Sequence, residues 1–312
     1  MIGSGTQKLK WHELPREIQA TIESFLGATV VQSETQPGGF SPGVASKVVT
    51  ARGKKAFIKS SSSSISKPSA DVNRREIKHT RALQDNSRVP KLLHSFEKGD
   101  WVSLIYEVVE GRHPQLPWVD EELDLVLSEL TELSASLSPC PSPELFSTLE
   151  SGQETFSGWS HFSKERELLQ ALKDPWIERK IDTLVRLEGS WTEAAQGDCL
   201  VHTDIRADQI LLTHDKAIFL DWPHAKIGAP WVDFLFLFPS IVMQKGPSMR
   251  SLVTRSPLAQ VPASKLFPMA AALAGFFLRN SLQPPLPRLV TLREFQRSQG
   301  EVVIRWLEES GV

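Results

Sequence analysis

From residue 28 to residue 59 apolar and polar positions alternate in short β-branched runs broken by glycine and proline: ATVVQSE, then PGGFSPG, then VASKVVTARGKKAFIK. A period of two is the signature of half-buried strands, and the breaks predict a strand, a tight loop and a hairpin turning at Arg52 and Gly53. Five consecutive serines, Ser60 to Ser64, followed by ISKPSA, predict a flexible connection. NRREIKHTRAL after it reads as a helix with Ile77, Thr80, Ala82 and Leu83 inward. RVPKLLHSFEKGD and WVSLIYEVVEGR predict two further strands joined by a Gly-Asp turn. Beyond them the period changes. In VDEELDLVLSELTELSASL the residues Leu123, Val126, Leu127, Leu130, Leu133 and Leu137 follow helical spacing, with Asp120 placed to cap the start. PCPSPELFSTLESGQETFSG reads as loop, and LREFQRSQGEVVIRWLEES as an amphipathic helix with a packing face. The texture thus divides the chain into a sheet-rich part, residues 1–106, a connector, 107–111, and a mainly helical part, 112–312.

Composition adds exclusions. The chain has 312 residues, 40% of them hydrophobic, enough to bury a sizeable core in two lobes. A net charge of −2 with scattered basic residues gives no footprint for nucleic acid. Cys140 and Cys199 are too few for a disulfide framework or a thiolate metal site, which fits a reducing compartment. The opening MIGSGTQKLKWHEL has no apolar signal core, and FLFLF and MAAALAGFFL fall short of a membrane span. The expectation is a cytoplasmic protein that uses neither membrane nor nucleic acid; nothing in the sequence speaks to its oligomeric state.

The chemistry concentrates in GDCLVHTDIRADQILLTHDKAIFLDWP, which reads as strand, polar loop, strand, turn at His214 and Asp215, strand, and an acid at the exit. Asp204 on the loop and Asp221 after the returning strand can converge on one centre, and two acids with an amide between them suit magnesium. PGGFSPGVASKV could bring backbone N–H groups to phosphate oxygens, and AFIK places Lys59 on a strand, although glycine turns and strand lysines are common. Asp120, Glu121, Glu122 and Asp124 could attract a cationic substrate, but acids that open a helix are more often a solvated end.

Order binds these fragments together. Glycine loop, strand lysine, helix glutamate, the connector YEVVEG, His-x-Asp with an amide five residues beyond the aspartate, and a strand ending in aspartate resemble the aminoglycoside phosphotransferase and choline kinase-like family over residues 30 to 240. HTDIRADQILL and IFLDWPHAKIGAPWVDF carry most of the likeness. The resemblance implies an α+β, two-lobed protein-kinase-like fold: a small N-terminal sheet lobe with one key helix and a larger, mainly helical C-terminal lobe. It further implies an O-phosphotransferase moving the γ-phosphate of ATP, or of GTP, to a hydroxyl of a small molecule such as an aminoglycoside-like antibiotic, a sugar or an amino alcohol. In that family's terms Asp204 accepts or orients the acceptor proton, Asp221 binds Mg2+, and Lys59, steadied by Glu76, holds phosphate oxygens. Gly38, Gly39, Ser41 and Gly43 form the loop over the phosphates, while Glu107 and Val109 offer backbone groups to the base. Asp233 ties the catalytic loop together, His202 orients it, and Arg206 and Asp208 can meet substrate, each other or water.

Two positions depart from the family. Gln209 stands where asparagine is usual, and Thr203 where glycine is frequent. The longer amide reaches magnesium only if the backbone retreats or a water intervenes, with Asp208 a substitute. Two other readings therefore stand beside the kinase: a catalytically impaired nucleotide-binding module, and a metal hydrolase using His202, Asp204 and Asp221, which would need more ligands than the sequence supplies. DWPHAKIGAPWVDF runs straight into an apolar helix, leaving no room for a regulated activation segment.

Overall fold

The computed structural model describes residues 8–36, 42–285 and 291–312. In chain order a 3-10 turn, Trp11–Glu13, and α1, Arg16–Leu26, lead into strands β1, Val30–Thr35, β2, Val44–Thr50, and β3, Lys55–Ser62. Helix α2, Ser63–Ala82, and strands β4, Leu92–Lys98, and β5, Trp101–Tyr106, follow. Helices α3, Asp120–Ser136, α4, Gly158–Phe162, α5, Arg166–Ala171, α6, Pro175–Glu188, and α7, Trp191–Ala194, precede β6, Cys199–Val201. The hairpin β7, Ile210–Leu212, and β8, Ala217–Phe219, comes next, then β9, Lys226–Gly228. Helices α8, Val232–Met243, α9, Met249–Thr254, α10, Ala263–Ser281, and α11, Leu292–Glu309, complete the chain. Contacts between Cα atoms divide it into two compact units: Met1–His113 with Asp208–His224, and Pro114–Ala207 with Ala225–Val312. The mixed α+β, kinase-like class expected from the motif order is the one observed.

The first unit is built on an antiparallel five-stranded sheet of order β1-β2-β3-β5-β4. Strand β2 alternates cleanly, Val44, Ser46, Val48 and Thr50 being buried, so its buried residues go to one face as a period of two requires. That face receives the opening helix: Leu14, Ile18, Ile22 and Leu26 pack with Val44, Val48, Ala56, Ile58 and Ile105. The other face packs Leu104, Tyr106 and Phe57 against Ile77 of α2.

The serine run is not a linker. Ser60, Ser61 and Ser62 end β3 in register with Ser103, Val102 and Trp101 of β5, and Ser63 begins α2. All three ladder serines are buried. Their hydroxyls find partners: Ser60 with Ser103 Oγ at 2.8 Å, Ser61 with the Ser69 carbonyl at 3.2 Å, Ser62 with Asp100 at 2.5 Å. A polar run of poor intrinsic preference becomes a strand once the neighbouring strand and turn satisfy its hydroxyls. Ser66 leaves helical geometry two residues before Pro68, so the helical stretch that carries Glu76 starts afresh there, the Ser66 hydroxyl accepting from Ser69 N at 3.3 Å.

In the second unit α3 buries Leu123, Val126, Leu127, Leu130 and Leu133 as their spacing predicts. Asp120 does not cap it. Val119 holds the cap position without a side-chain bond, and Asp120 instead pairs with Arg255 at 2.9 Å, as Asp124 does at 2.5 Å. Two of the four acids of this helix end are thus engaged by a cation of the protein itself. Helix α10 crosses α4 at glycine on both sides: a Cβ on Gly158 would lie 2.2 Å from the Gly275 carbonyl oxygen. The buried Glu188 accepts from Trp159 N and Ser160 N, each at 2.8 Å, at the start of α4. Strand β6 pairs antiparallel with β9, Cys199 opposite Gly228 and Val201 opposite Lys226. Among the described residues no helix is long and apolar enough to cross a membrane.

Candidate functional site

The first unit contains a cavity of about 340 Å³, within the range that small-molecule sites occupy. Lys59 stands in the middle of β3, opposite Ala45 of β2 and Leu104 of β5, and points into it. The Nζ atom donates to both carboxylate oxygens of Glu76 at 2.8 Å and forms an ion pair with Asp221. The Glu76 side chain is only 3% exposed, the Asp221 side chain 36%. Burial pushes the Lys59 ammonium down, but the carboxylates of Asp221 and Glu76 more than offset it, so its pKa rises above the ordinary value and the charge is kept. Glu76 takes a third bond, from the Tyr106 hydroxyl at 2.8 Å. Burial, reinforced by the Glu76 charge, drives the Tyr106 phenol well above its usual value, which keeps it a donor.

Backbone geometry sets where Asp221 lies. In the β7–β8 hairpin Ile210 faces Phe219, and Leu220 N donates to the Gln209 carbonyl at 2.8 Å, so the residue before Asp221 is bonded to Gln209. Phe219 N reaches Arg88 O at 2.8 Å, and His79 Nδ1 lies 2.9 Å from the Trp222 carbonyl, attaching both ends of the acid's segment to the first unit. Trp222 is buried, its indole donating to Phe219 O at 2.8 Å. Asp221 itself has φ of 62°, the left-handed region that aspartate tolerates better than most residues. Asp208 lines the cavity, whereas Gln209 is 5% exposed and does not.

The remaining loop residues belong to the second unit. Asp233, in the first turn of α8, accepts from His202 N at 2.7 Å and Thr203 N at 2.8 Å, one through each oxygen. This is the tie expected of it. Burial holds the Asp233 pKa up against these bonds and against His202. Thr203 has φ of 65°, a conformation that costs a β-branched residue and that glycine adopts freely. His202 is fully buried, its Nδ1 3.3 Å from Asp204 N, and Arg206 forms an ion pair with Asp204.

Lys59, Glu76 and Asp221 therefore stand in one cluster, and Glu107 and Val109 line the same cavity. Asp204 lies in the second unit. Gly43 enters β2 with φ of 144°, where a Cβ would sit 2.4 Å from Ser60 O, so only glycine fits. Gly38, Gly39 and Ser41 lie outside the described residues. Tyr106, His79 and Lys8 were not singled out from the sequence. Tyr106 had a signal, being the single tyrosine of the chain, set at the end of β5; the other two take part only through long-range contacts. No group of three or more His, Cys, Asp or Glu able to hold a metal occurs among the described residues.

The sequence profile of the phosphotransferase enzyme family matches residues 38–267. No curated protein sequence matches the chain. Among solved structures, a choline/ethanolamine kinase family protein from Mesorhizobium loti is 14% identical, with a TM-score of 0.57, covering 93% of this chain and 94% of its own. Choline kinase from Cryptosporidium parvum Iowa II is 12% identical, with a TM-score of 0.54 and coverages of 96% and 91%. The amicoumacin kinase hAmiN, in complex with AMP-PNP, Ca2+ and Ami, is 13% identical, with a TM-score of 0.51 and coverages of 92% and 96%.

Proposed function

Because the chain belongs to the phosphotransferase enzyme family, we propose that it moves the γ-phosphate of a nucleoside triphosphate, ATP or GTP, to a hydroxyl of a small molecule. The observation that carries this reading is the Lys59–Glu76–Asp221 cluster in a cavity that also contains Glu107 and Val109 of the connector. Phosphoryl transfer asks a protein mainly to position the reactants and neutralise charge, and a charge-locked lysine beside a partly exposed carboxylate supplies the second of these. The amicoumacin kinase complex with AMP-PNP and Ca2+ lends support by analogy of fold.

In this reading residues 1–106 bind the nucleotide, residues 107–111 present backbone groups of Glu107 and Val109 to the base, and residues 112–312 carry the acceptor side. Lys59 holds α- and β-phosphate oxygens, and Glu76, fixed by Tyr106, keeps its ammonium in place. Gly38, Gly39, Ser41 and Gly43 cover the phosphates.

The donor set suits magnesium, which keeps several waters and takes one or two carboxylates plus substrate phosphates rather than a full protein cage. Asp221 would hold it, with Gln209 or the cavity-facing Asp208 as second oxygen; bound, the ion neutralises phosphate charge. Asp204 accepts or orients the hydroxyl proton as the acceptor oxygen bonds to phosphorus and the nucleoside diphosphate departs. Arg206, paired with Asp204, holds that carboxylate in one orientation.

The test is mass spectrometry of a hydroxyl-rich library, with aminoglycosides, macrolides, sugars and amino alcohols, incubated with magnesium and ATP or GTP. A product heavier by one phosphate with wild type and not with Asp204→Asn is expected. No product, with equal nucleotide consumption by both proteins, overturns the reading.

A further inference from the structure

The left-handed backbone of Asp221, φ of 62°, is a conformation that persists in a residue with a Cβ only where the surroundings over-determine it. Here the residues on either side are both fastened. Leu220 N, before it, donates to the Gln209 carbonyl at 2.8 Å. The Trp222 carbonyl, after it, lies 2.9 Å from His79 Nδ1. A carbonyl can only accept, so Nδ1 carries the hydrogen and donates it. His79 is 7% exposed and Trp222 is buried, which shields this bond from competing water.

In α2, His79 follows Glu76 by three residues, a spacing that puts both on one helix face. The contacts from that face close a circuit. Glu76 accepts from Lys59 at 2.8 Å, Lys59 pairs with Asp221, and the chain beyond Asp221 returns to α2 through His79. Asp221 lines the cavity and His79 does not, so any effect of the imidazole there passes through the backbone it holds. Resting on the nucleotide and magnesium reading above, we propose that His79 is a positioning residue for Asp221. Its bond to the Trp222 carbonyl keeps Asp221 left-handed, with the carboxylate turned to the cavity where it would hold the metal; without that donor the backbone can relax and the carboxylate swings away.

Titration calorimetry with ATP and GTP, in excess Mg2+ and in EDTA, separates this role from a merely structural one. His79→Leu fills a similar volume without a donor. It is expected to weaken triphosphate binding in Mg2+ about tenfold, as loss of a partner behind a metal ligand does, and to leave binding in EDTA within twofold. His79→Asn, whose amide N–H can reach the same carbonyl, is expected to recover most of the loss. Equal losses with and without Mg2+, no loss in His79→Leu, or no recovery in His79→Asn overturns the assignment while leaving the nucleotide site in place. Nitrogen NMR of the wild type serves even if a variant fails to fold: the His79 hydrogen is expected on Nδ1, its resonance moving when Mg2+ joins the nucleotide-bound protein. A hydrogen on Nε2 alone, or no movement, likewise overturns it. A wild-type protein that binds neither triphosphate overturns the nucleotide reading itself, and the role of His79 with it.

Discussion

Thr203 shows how much a single position can be constrained from a distance. Its backbone is left-handed, φ of 65°, because Asp233 takes the N–H groups of both His202 and Thr203. For a residue with a Cβ this conformation costs about 1–2 kcal/mol, while glycine adds about 0.5–1 kcal/mol of unfolded-state entropy to be lost. Thr203→Gly is therefore expected to stabilise the protein by about 0.5–1 kcal/mol in urea unfolding; a loss of stability would mean that the threonine side chain contributes more than the backbone strain costs. The positive φ was not legible in the sequence, since a threonine gives no local hint of it. The carboxylate that enforces it lies 30 residues downstream.

At the scale of elements, clean periodicity was legible and polar runs were not. Helix α3 and the alternation in β2 follow their spacing. The serines of β3 defeated local reasoning because strand preference is decided by what lies across the sheet, here Ser103, Val102 and Trp101. Helix α1 was legible too, since Leu14, Ile18, Ile22 and Leu26 recur every four residues and all join the core, although it was not among the elements expected from the sequence. The meeting of α4 and α10 was illegible, because Gly158 and Gly275 are 117 positions apart (275 − 158) and neither sits in a turn. Their contact leaves no room for a methyl group: at Gly158 it would meet backbone, which cannot rotate away. Gly158→Ala is expected to destabilise by about 3 kcal/mol, read as a lowered midpoint in thermal unfolding, whereas Gly189→Ala, with its nearest atoms at 3.5 Å, should change little.

For the whole molecule, the two cavity lysines make opposite contributions to stability as pH rises. Lys59 has a folded pKa above its ordinary 10.5, so the folded state holds the extra proton; its contribution is fully present below about 10.5 and is lost as pH climbs through the folded value. Lys8 is lowered from 10.5 to about 8, so between those values the unfolded state binds more protons and stability rises with pH. Urea unfolding from pH 7 to 11 should show a gentle rise above pH 8 and a fall beyond 10.5. Lys8→Ala should remove the rise, and Lys59→Met should lessen the fall; a profile identical in all three proteins would rule out both couplings.

The family and the two-part α+β architecture could be read from the chain alone, because both rest on the order of motifs and on local periodicity, which are covalent properties. Residues such as Lys59, Glu76 and Asp221 could be named for the same reason. That one ammonium meets both carboxylates, that Tyr106 holds Glu76, that Asp208 rather than Gln209 lines the cavity, and that Lys8 joins it came from the fold. Those arrangements depend on strand register and on packing between segments far apart in sequence, and no short-range pattern encodes a distance between such segments.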